Sequence, residues 1–149
     1  MAIYHFHCGF ISRAKGLSAV AGSAYMSCEK IKNEYDGTIH NYSNKKNHEY
    51  GEVILPQNAP ARYKDKSILW NSVENFEKNR NAQLSRNGDI AIPNELTDAE
   101  AKELCHNYFQ KFADSGMCVQ WDIHSPDEEA KNKHVHFMLT LRGIDENGE

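Results

Sequence analysis

A chain of 149 residues that is 40% hydrophobic and 26% charged is one globular domain with a sizeable core, which excludes a disordered tail or a low-complexity filament. No apolar run reaches the length of a membrane span and Met1-Ala2-Ile3-Tyr4-His5 is not a signal peptide, so membrane insertion is excluded and a cytoplasmic location is expected. A net charge of −4 excludes broad electrostatic binding of nucleic acid, but residues 1–86 hold 12 Lys+Arg against 8 Asp+Glu and residues 87–149 hold 5 against 13, leaving one basic face able to meet phosphate.

Ala2 to Cys8 alternates and reads as a first strand, with His5 and His7 on one face. Gly9 to Gly16 is a turn carrying Arg13 and Lys15. Ser18 is placed to cap a helix running to about Asn33, with Val20, Ala24, Cys28 and Ile31 on one stripe. Tyr25 lies about 100° round from that stripe, at the edge of the buried face, where a ring packs while its hydroxyl reaches a cleft. On helix geometry alone this is a boundary-packing tyrosine. Asp36 to Pro60 is polar, with Lys45-Lys46 at its middle, and reads as a long loop with a short extended piece at Glu52–Leu55. Tyr35, Tyr42, Tyr50 and Tyr63, in or around it, are rival nucleophiles or stacking platforms.

A second helix is expected from Asp65 to about Arg86, with Leu69, Val73 and Phe76 as its stripe and Lys78, Arg80 and Arg86 near its end. Asp89 to Pro93 is a short strand. Thr97 and Glu100 form a capping box for a third helix to about Asp114, with Ala101, Leu104, Tyr108, Phe109 and Phe112 facing the core, stopped by Gly116. Cys8, Cys28, Cys105 and Cys118 show no Cys-x-x-Cys pair and read as reduced core thiols. The order β-α-α-β-α-β-β gives an α+β domain: a central antiparallel or mixed sheet of about four to five strands with helices on one face. The turn-like ending Asp145-Glu146-Asn147-Gly148-Glu149 reads as a fragment of a longer protein.

The two last strands carry the chemistry. Met117 to His124 and His134 to Arg142 both alternate strictly, joined by a polar loop. His134 and His136 point the same way from rigid backbone, and hairpin pairing brings His124 onto their face. Three imidazoles on one point are a divalent-metal site with open positions; a closed structural zinc site needs a fourth ligand. Cys118 shares that face but stands roughly 20 Å away along the strand. The pair His5/His7 competes less well, having no third histidine at hairpin distance.

Taken together, these residues resemble the MobA/MobL family of plasmid mobilisation relaxases, within the His-hydrophobic-His endonucleases. The match is collinear: Met-Ala-Ile-Tyr-His-Phe at the start, Ser23-Ala24-Tyr25, Leu69-Trp70-Asn71, Ile92-Pro93-Asn94-Glu95-Leu96, Ile123-His124, His134-Val135-His136 and Leu141-Arg142-Gly143. The resemblance implies that residues 1–149 are a DNA-nicking domain, with Tyr25 as the nucleophile forming a 5′-phosphotyrosyl intermediate and His124, His134 and His136 as metal ligands. It implies a bacterial protein whose partners are single-stranded or supercoiled plasmid DNA at a transfer origin and other relaxosome and conjugation proteins. The ion is expected to be Mn²⁺ or Mg²⁺, with Zn²⁺, Ni²⁺ or Co²⁺ as alternatives; imidazole ligands favour the transition metals. Relatives usually have Arg-Glu where this chain reads Arg86-Asn87-Gly88-Asp89, so Asp89 is the candidate for the missing acid. Arg13, Lys15, Lys78, Arg80 and Arg86 are the candidate DNA contacts. Two alternatives stand beside this reading: a rolling-circle replication initiator with the same chemistry, and a hydrolase whose histidine-bound metal activates water.

Overall fold

The computed structural model describes residues 5–127 and 131–148. Its elements are β1 (Phe6–Ser12), α1 (Ala19–Ser27), β2 (Lys30–Lys32), β3 (Ile39–Asn41), β4 (His48–Ile54), α2 (Lys66–Phe76), β5 (Gln83–Ala91), α3 (Asp98–Asp114), β6 (Val119–His124) and β7 (His134–Leu139). Five strands form one sheet in the order β1-β5-β7-β6-β4, every neighbouring pair antiparallel, while β2 and β3 make a separate hairpin.

The strict alternation of β6 and β7 reflects a sheet covered on both sides. Val119, Trp121 and Ile123 face α3, where the Phe109 ring stacks on Trp121 at 6.3 Å. Gln120, Asp122 and His124 face α1 and α2 and are equally buried. The expected α+β class and antiparallel sheet are present, but the helices are divided between two faces, α1 and α2 on one and α3 on the other. A stripe of residues on a helix shows that it packs, not on which side of the sheet.

Four expected elements have different limits. The first strand runs Phe6–Ser12, and Ala2 to Tyr4 lie outside the described residues. The first helix stops at Ser27 because Cys28 turns left-handed at φ 55°, its N–H returning to the Ala24 and Tyr25 carbonyls. Lys30-Ile31-Lys32 is then a strand with only Ile31 buried, a three-residue pattern that fits either a strand or a helix stripe. The second helix ends at Phe76, which is exposed, and Gln83–Ala91 forms the long strand β5 instead of a helix end followed by a short strand. The expected loop contains β3 and all of β4, the edge strand paired to β6. In α3 the buried positions are Ala101, Cys105, Phe109 and Ala113, so Leu104 and Tyr108 lie outward. Of the four thiols only Cys105 and Cys118 are buried.

Both expected caps form. Ser18 accepts from Ala21 N–H at 3.1 Å, and Thr97 and Glu100 exchange both bonds of the capping box. The N-terminus of α1 has no acidic residue of its own in its first turn. The buried Glu74 of α2 supplies one: its Oε1 accepts from Ser18 Oγ at 2.7 Å, Ala19 N–H at 2.7 Å and Val20 N–H at 3.3 Å, and its Oε2 from Asn33 Nδ2 at 2.8 Å. This carboxylate satisfies helix-end donors and lies at the positive end of the dipole. Glu74→Ala strands those donors in a buried site and is expected to lower the unfolding free energy by about 3 kcal/mol, measured by urea denaturation, with Glu74→Gln losing less.

Candidate metal and nucleophile site

The β6–β7 register sets His124 directly opposite His134, and Asp122 opposite His136. Directly opposed residues share a face, so the three imidazoles meet on the α1 side. Their ring centroids are 4.5 Å (His124–His136), 4.7 Å (His134–His136) and 5.6 Å (His124–His134) apart. One nitrogen from each lies within 4.8 Å of the others, the only such group of ligand atoms among the described residues. Two rings are oriented by backbone carbonyls. His124 Nε2 lies 2.6 Å from the Met26 oxygen, and His134 Nδ1 3.3 Å from the Asn132 oxygen. A carbonyl only accepts, so each of these nitrogens carries the proton and the other ring nitrogen keeps its lone pair for a metal.

The electrostatics favour neutral ligands. Burial, then the neighbouring imidazoles and the Lys45 ammonium, push His136 down to about 3. Burial also lowers His124, with the Met26 carbonyl opposing it. Metal binding requires the unprotonated imidazole, so this donor set fits a borderline divalent cation.

Tyr25 occupies the last turn of α1, the helix that the Met26 carbonyl ties to His124. Its ring lies 6.1 Å from that of His136 and 6.4 Å from that of His124, and it is 39% exposed. The Tyr42 ring meets it edge-on at 5.4 Å, and Lys45 Nζ sits over its face, 3.9 Å from the centroid. The structure thus brings Tyr25 to His124 and His136 of the triad, with the Lys45 ammonium over its ring.

Asp89 also lies on this face. It stands opposite His136 across β5 and β7, while Asn87 stands opposite Met138, one step further from the triad. Its carboxylate accepts from His5 Nε2 at 3.0 Å and has His7 Nδ1 at 3.8 Å, so the competing histidine pair flanks the triad through Asp89 and does not replace it.

The basic candidates disperse. Arg13 donates to the carbonyls of Glu74, Glu77 and Asn79 at the end of α2 and lies 4.1 Å over the Tyr35 ring, so its donors are engaged in the fold. Arg86 has the opposite parity to Asn87 and Asp89; it stacks on Phe10 on the α3 side, away from the triad. Lys15 is exposed in a short 3-10 turn, and Lys78 and Arg80 are in the loop after α2. Sequence reasoning passed over Lys45 and the pair His48–Asp122. Asp122 is buried beside the triad, bonded to His48 Nε2 at 2.7 Å and to Gln120 Nε2 at 2.9 Å. The parity of Asp122 with His124 was a signal for it; nothing local marks Lys45 except its dipeptide with Lys46.

A family model described as MobA/MobL matches residues 17–149. The chain is 36% identical to the conjugal transfer protein TraA of Agrobacterium fabrum (strain C58), over 99% of this chain and 14% of that protein. It is 30% identical to a probable mobilization protein MobA of Bifidobacterium longum, over 97% of this chain and 26% of the relative. It is 36% identical to the mobilization protein MobL of Acidithiobacillus ferridurans, over 85% and 33%. The chain therefore spans between 14% and 33% of the length of these curated relatives. A solved chain from work on the molecular basis of vancomycin resistance transfer in Staphylococcus aureus matches with a TM-score of 0.91 at 38% identity, over 99% of this chain and 75% of that one.

The depressed histidines set a pH dependence. Below the ordinary value of 6.5 the unfolded chain takes up protons that folded His136 refuses until about 3, so the metal-free protein loses stability as pH falls through that window. Urea midpoints between pH 7 and 4 are expected to fall, and to fall less steeply in His136→Asn.

Proposed function

This chain belongs to the MobA/MobL family, and from that premise we propose that it is a metal-dependent, strand-specific DNA nickase, with residues 1–149 as its nicking domain, that opens a plasmid transfer origin to begin mobilisation in the bacterial cytoplasm. The observation that carries the reading is the approach of the Tyr25 ring to the rings of His136 and His124. It pairs a nucleophile with a metal-ligand set from elements about a hundred residues apart in the chain.

The Tyr25 oxygen attacks the scissile phosphorus. A P–O bond to tyrosine forms as the P–O3′ bond breaks, leaving a 5′-phosphotyrosyl strand and a 3′-hydroxyl. The phenol proton is given up and the departing 3′-oxygen gains one, so no net proton, water or ATP is consumed, and the retained ester allows rejoining. His124, His134 and His136 would hold a divalent ion, Mn²⁺ or Mg²⁺ being the first candidates and Zn²⁺, Ni²⁺ or Co²⁺ the alternatives; three imidazole donors favour the transition metals over Mg²⁺. What that ion supplies is withdrawal of charge from the non-bridging phosphate oxygens. Lys45 adds a fixed positive charge over the tyrosine ring, where negative charge passes from phenol to phosphate. Asp89, facing His136 and held by His5 and His7, is the proton acceptor on that flank. The DNA must be single-stranded at the nick, since in-line attack needs an accessible backbone.

The test is a denaturing gel of protein incubated with Mn²⁺ and a single-stranded oligonucleotide spanning a transfer origin. A covalent protein–DNA band is expected, lost with EDTA and in Tyr25→Phe. Cleavage that survives Tyr25→Phe without a covalent band would overturn the reading in favour of a water-activating hydrolase. Lys45→Met is expected to slow single-turnover nicking by about a hundredfold, the scale of one lost stabilising donor, with Lys45→Arg recovering part of it.

A further inference from the structure

The two edges of the five-stranded sheet are β1 and β4, and they are treated differently. At β4, Lys64 Nζ donates to the Val53 carbonyl at 2.8 Å, the pairing is irregular between His48 and Tyr50, and Glu49 and Glu52 put charge on the strand. Charge, irregular pairing and covered carbonyls keep an edge from accepting another strand. Among the described residues β1 has none of these protections. Its sequence holds no Lys, Arg, Asp, Glu or Pro, and its pairing with β5 stays regular as far as Ile11.

The open groups of β1 follow from parity. Ala91 N–H donates to the His5 carbonyl at 3.0 Å. Hydrogen-bonded and non-hydrogen-bonded pairs alternate along an antiparallel ladder, so His5, His7 and Gly9 turn their main-chain groups toward β5. Those of Phe6, Cys8 and Phe10 point the other way, to the open edge. The same three residues put their side chains on the α3 face. Phe6 and Phe10 are 48% and 43% exposed, with Arg86 of β5 over one side of the Phe10 ring, and Cys8 is exposed.

We propose that β1 is the contact of a symmetric dimer, in which β1 of a second copy pairs with it antiparallel about Cys8. The strand is complementary to itself in this register. With Cys8 opposite Cys8, Phe6 of each copy falls opposite Phe10 of the other, and all three outward-facing residues exchange both main-chain bonds. Centring the pair on His7 or Gly9 leaves one of the three without a partner inside Phe6–Phe10. The two-fold axis stands normal to the sheet, so the two histidine triads face the same way, at opposite ends of the joined sheets. The half-exposed rings supply about 200 Å² per copy. With the strand edge added, the contact is smaller than the roughly 800 Å² per partner of a standard interface, so a dissociation constant on the order of 10 μM is expected. The contact involves neither Tyr25 nor the triad and stands apart from the nicking reading.

Sedimentation velocity of the full chain from about 1 to 200 μM, with amide hydrogen exchange at both ends of that range, tests it. A monomer–dimer equilibrium is expected, and the amides of Phe6, Cys8 and Phe10 should exchange fast when dilute and slowly when concentrated. Cys8→Pro removes the central outward N–H and is compatible with an edge strand. Phe10→Lys puts charge on the strand through a residue that is already half-exposed. Each is expected to raise the dissociation constant about tenfold, since it acts twice by symmetry, with circular dichroism unchanged. A chain still monomeric at the highest concentration, or a dimer indifferent to Phe10→Lys, overturns the contact. So does slow exchange of the three amides in the monomer, the mark of another part of the chain filling the edge.

Discussion

The bond from His124 Nε2 to the Met26 carbonyl is the joint on which this site depends. It fixes one ring of the histidine triad by its proton and, with the same contact, fixes the end of the helix that carries Tyr25. Two further sets of bonds keep α1 in place. Gln120 Oε1 accepts from Ser23 Oγ at 2.6 Å and from Trp70 Nε1 at 2.8 Å in the middle, and Glu74 holds the N-terminus. A nine-residue helix is too short to be stable by propensity alone. Its position is imposed by these buried polar contacts and by packing of Ala19, Val20 and Ala24 on the sheet.

Buried polar groups of this kind are tolerated because each is satisfied. Gln120 accepts twice and donates to Asp122, and Asp122 reaches on to His48. The chain of bonds runs from α2 through β6 to the edge strand β4, across the face that bears the triad. A partly satisfied network would be worse than an apolar layer, whereas a complete one rigidifies its members. Gly51 of β4 shows how tightly this layer is built, since a Cβ there would come within 1.9 Å of the Asp122 carboxylate. In the proposed function rigidity at this point has chemical use: histidines on paired strands and a tyrosine on a clamped helix need little rearrangement to meet a phosphate.

The charge of the chain gave a poor guide to its site. Net charge is negative, yet burial lowers His124 and His136 and one ammonium stands over the Tyr25 ring. Arg13 and Arg86 looked like phosphate contacts from composition but serve a helix end and an aromatic ring on the far face. A count of Lys and Arg along the chain cannot register strand parity or the carbonyls that consume donors, and those decided their roles.

Local pattern by itself determined the hairpin that bears the three clustered histidines. Alternation of period two fixed which residues of β6 and β7 share a face, and the polar loop between them fixed their pairing, so the convergence of His124, His134 and His136 was legible. The caps at Ser18 and Thr97 were legible for the same reason, being short-range chemistry. Only the tertiary structure decided that Tyr25, rather than Tyr35, Tyr42, Tyr50 or Tyr63, lies against those rings, because helical periodicity places a side chain on a face without saying what that face meets. It likewise decided that Asp89 and not position 87 stands opposite His136, that helices cover both sides of the sheet, and that Lys45 of a long connection lies over the tyrosine ring. Each of these depends on pairing between segments far apart in the chain, which is set by the summed packing of the whole core and leaves no trace in any local window.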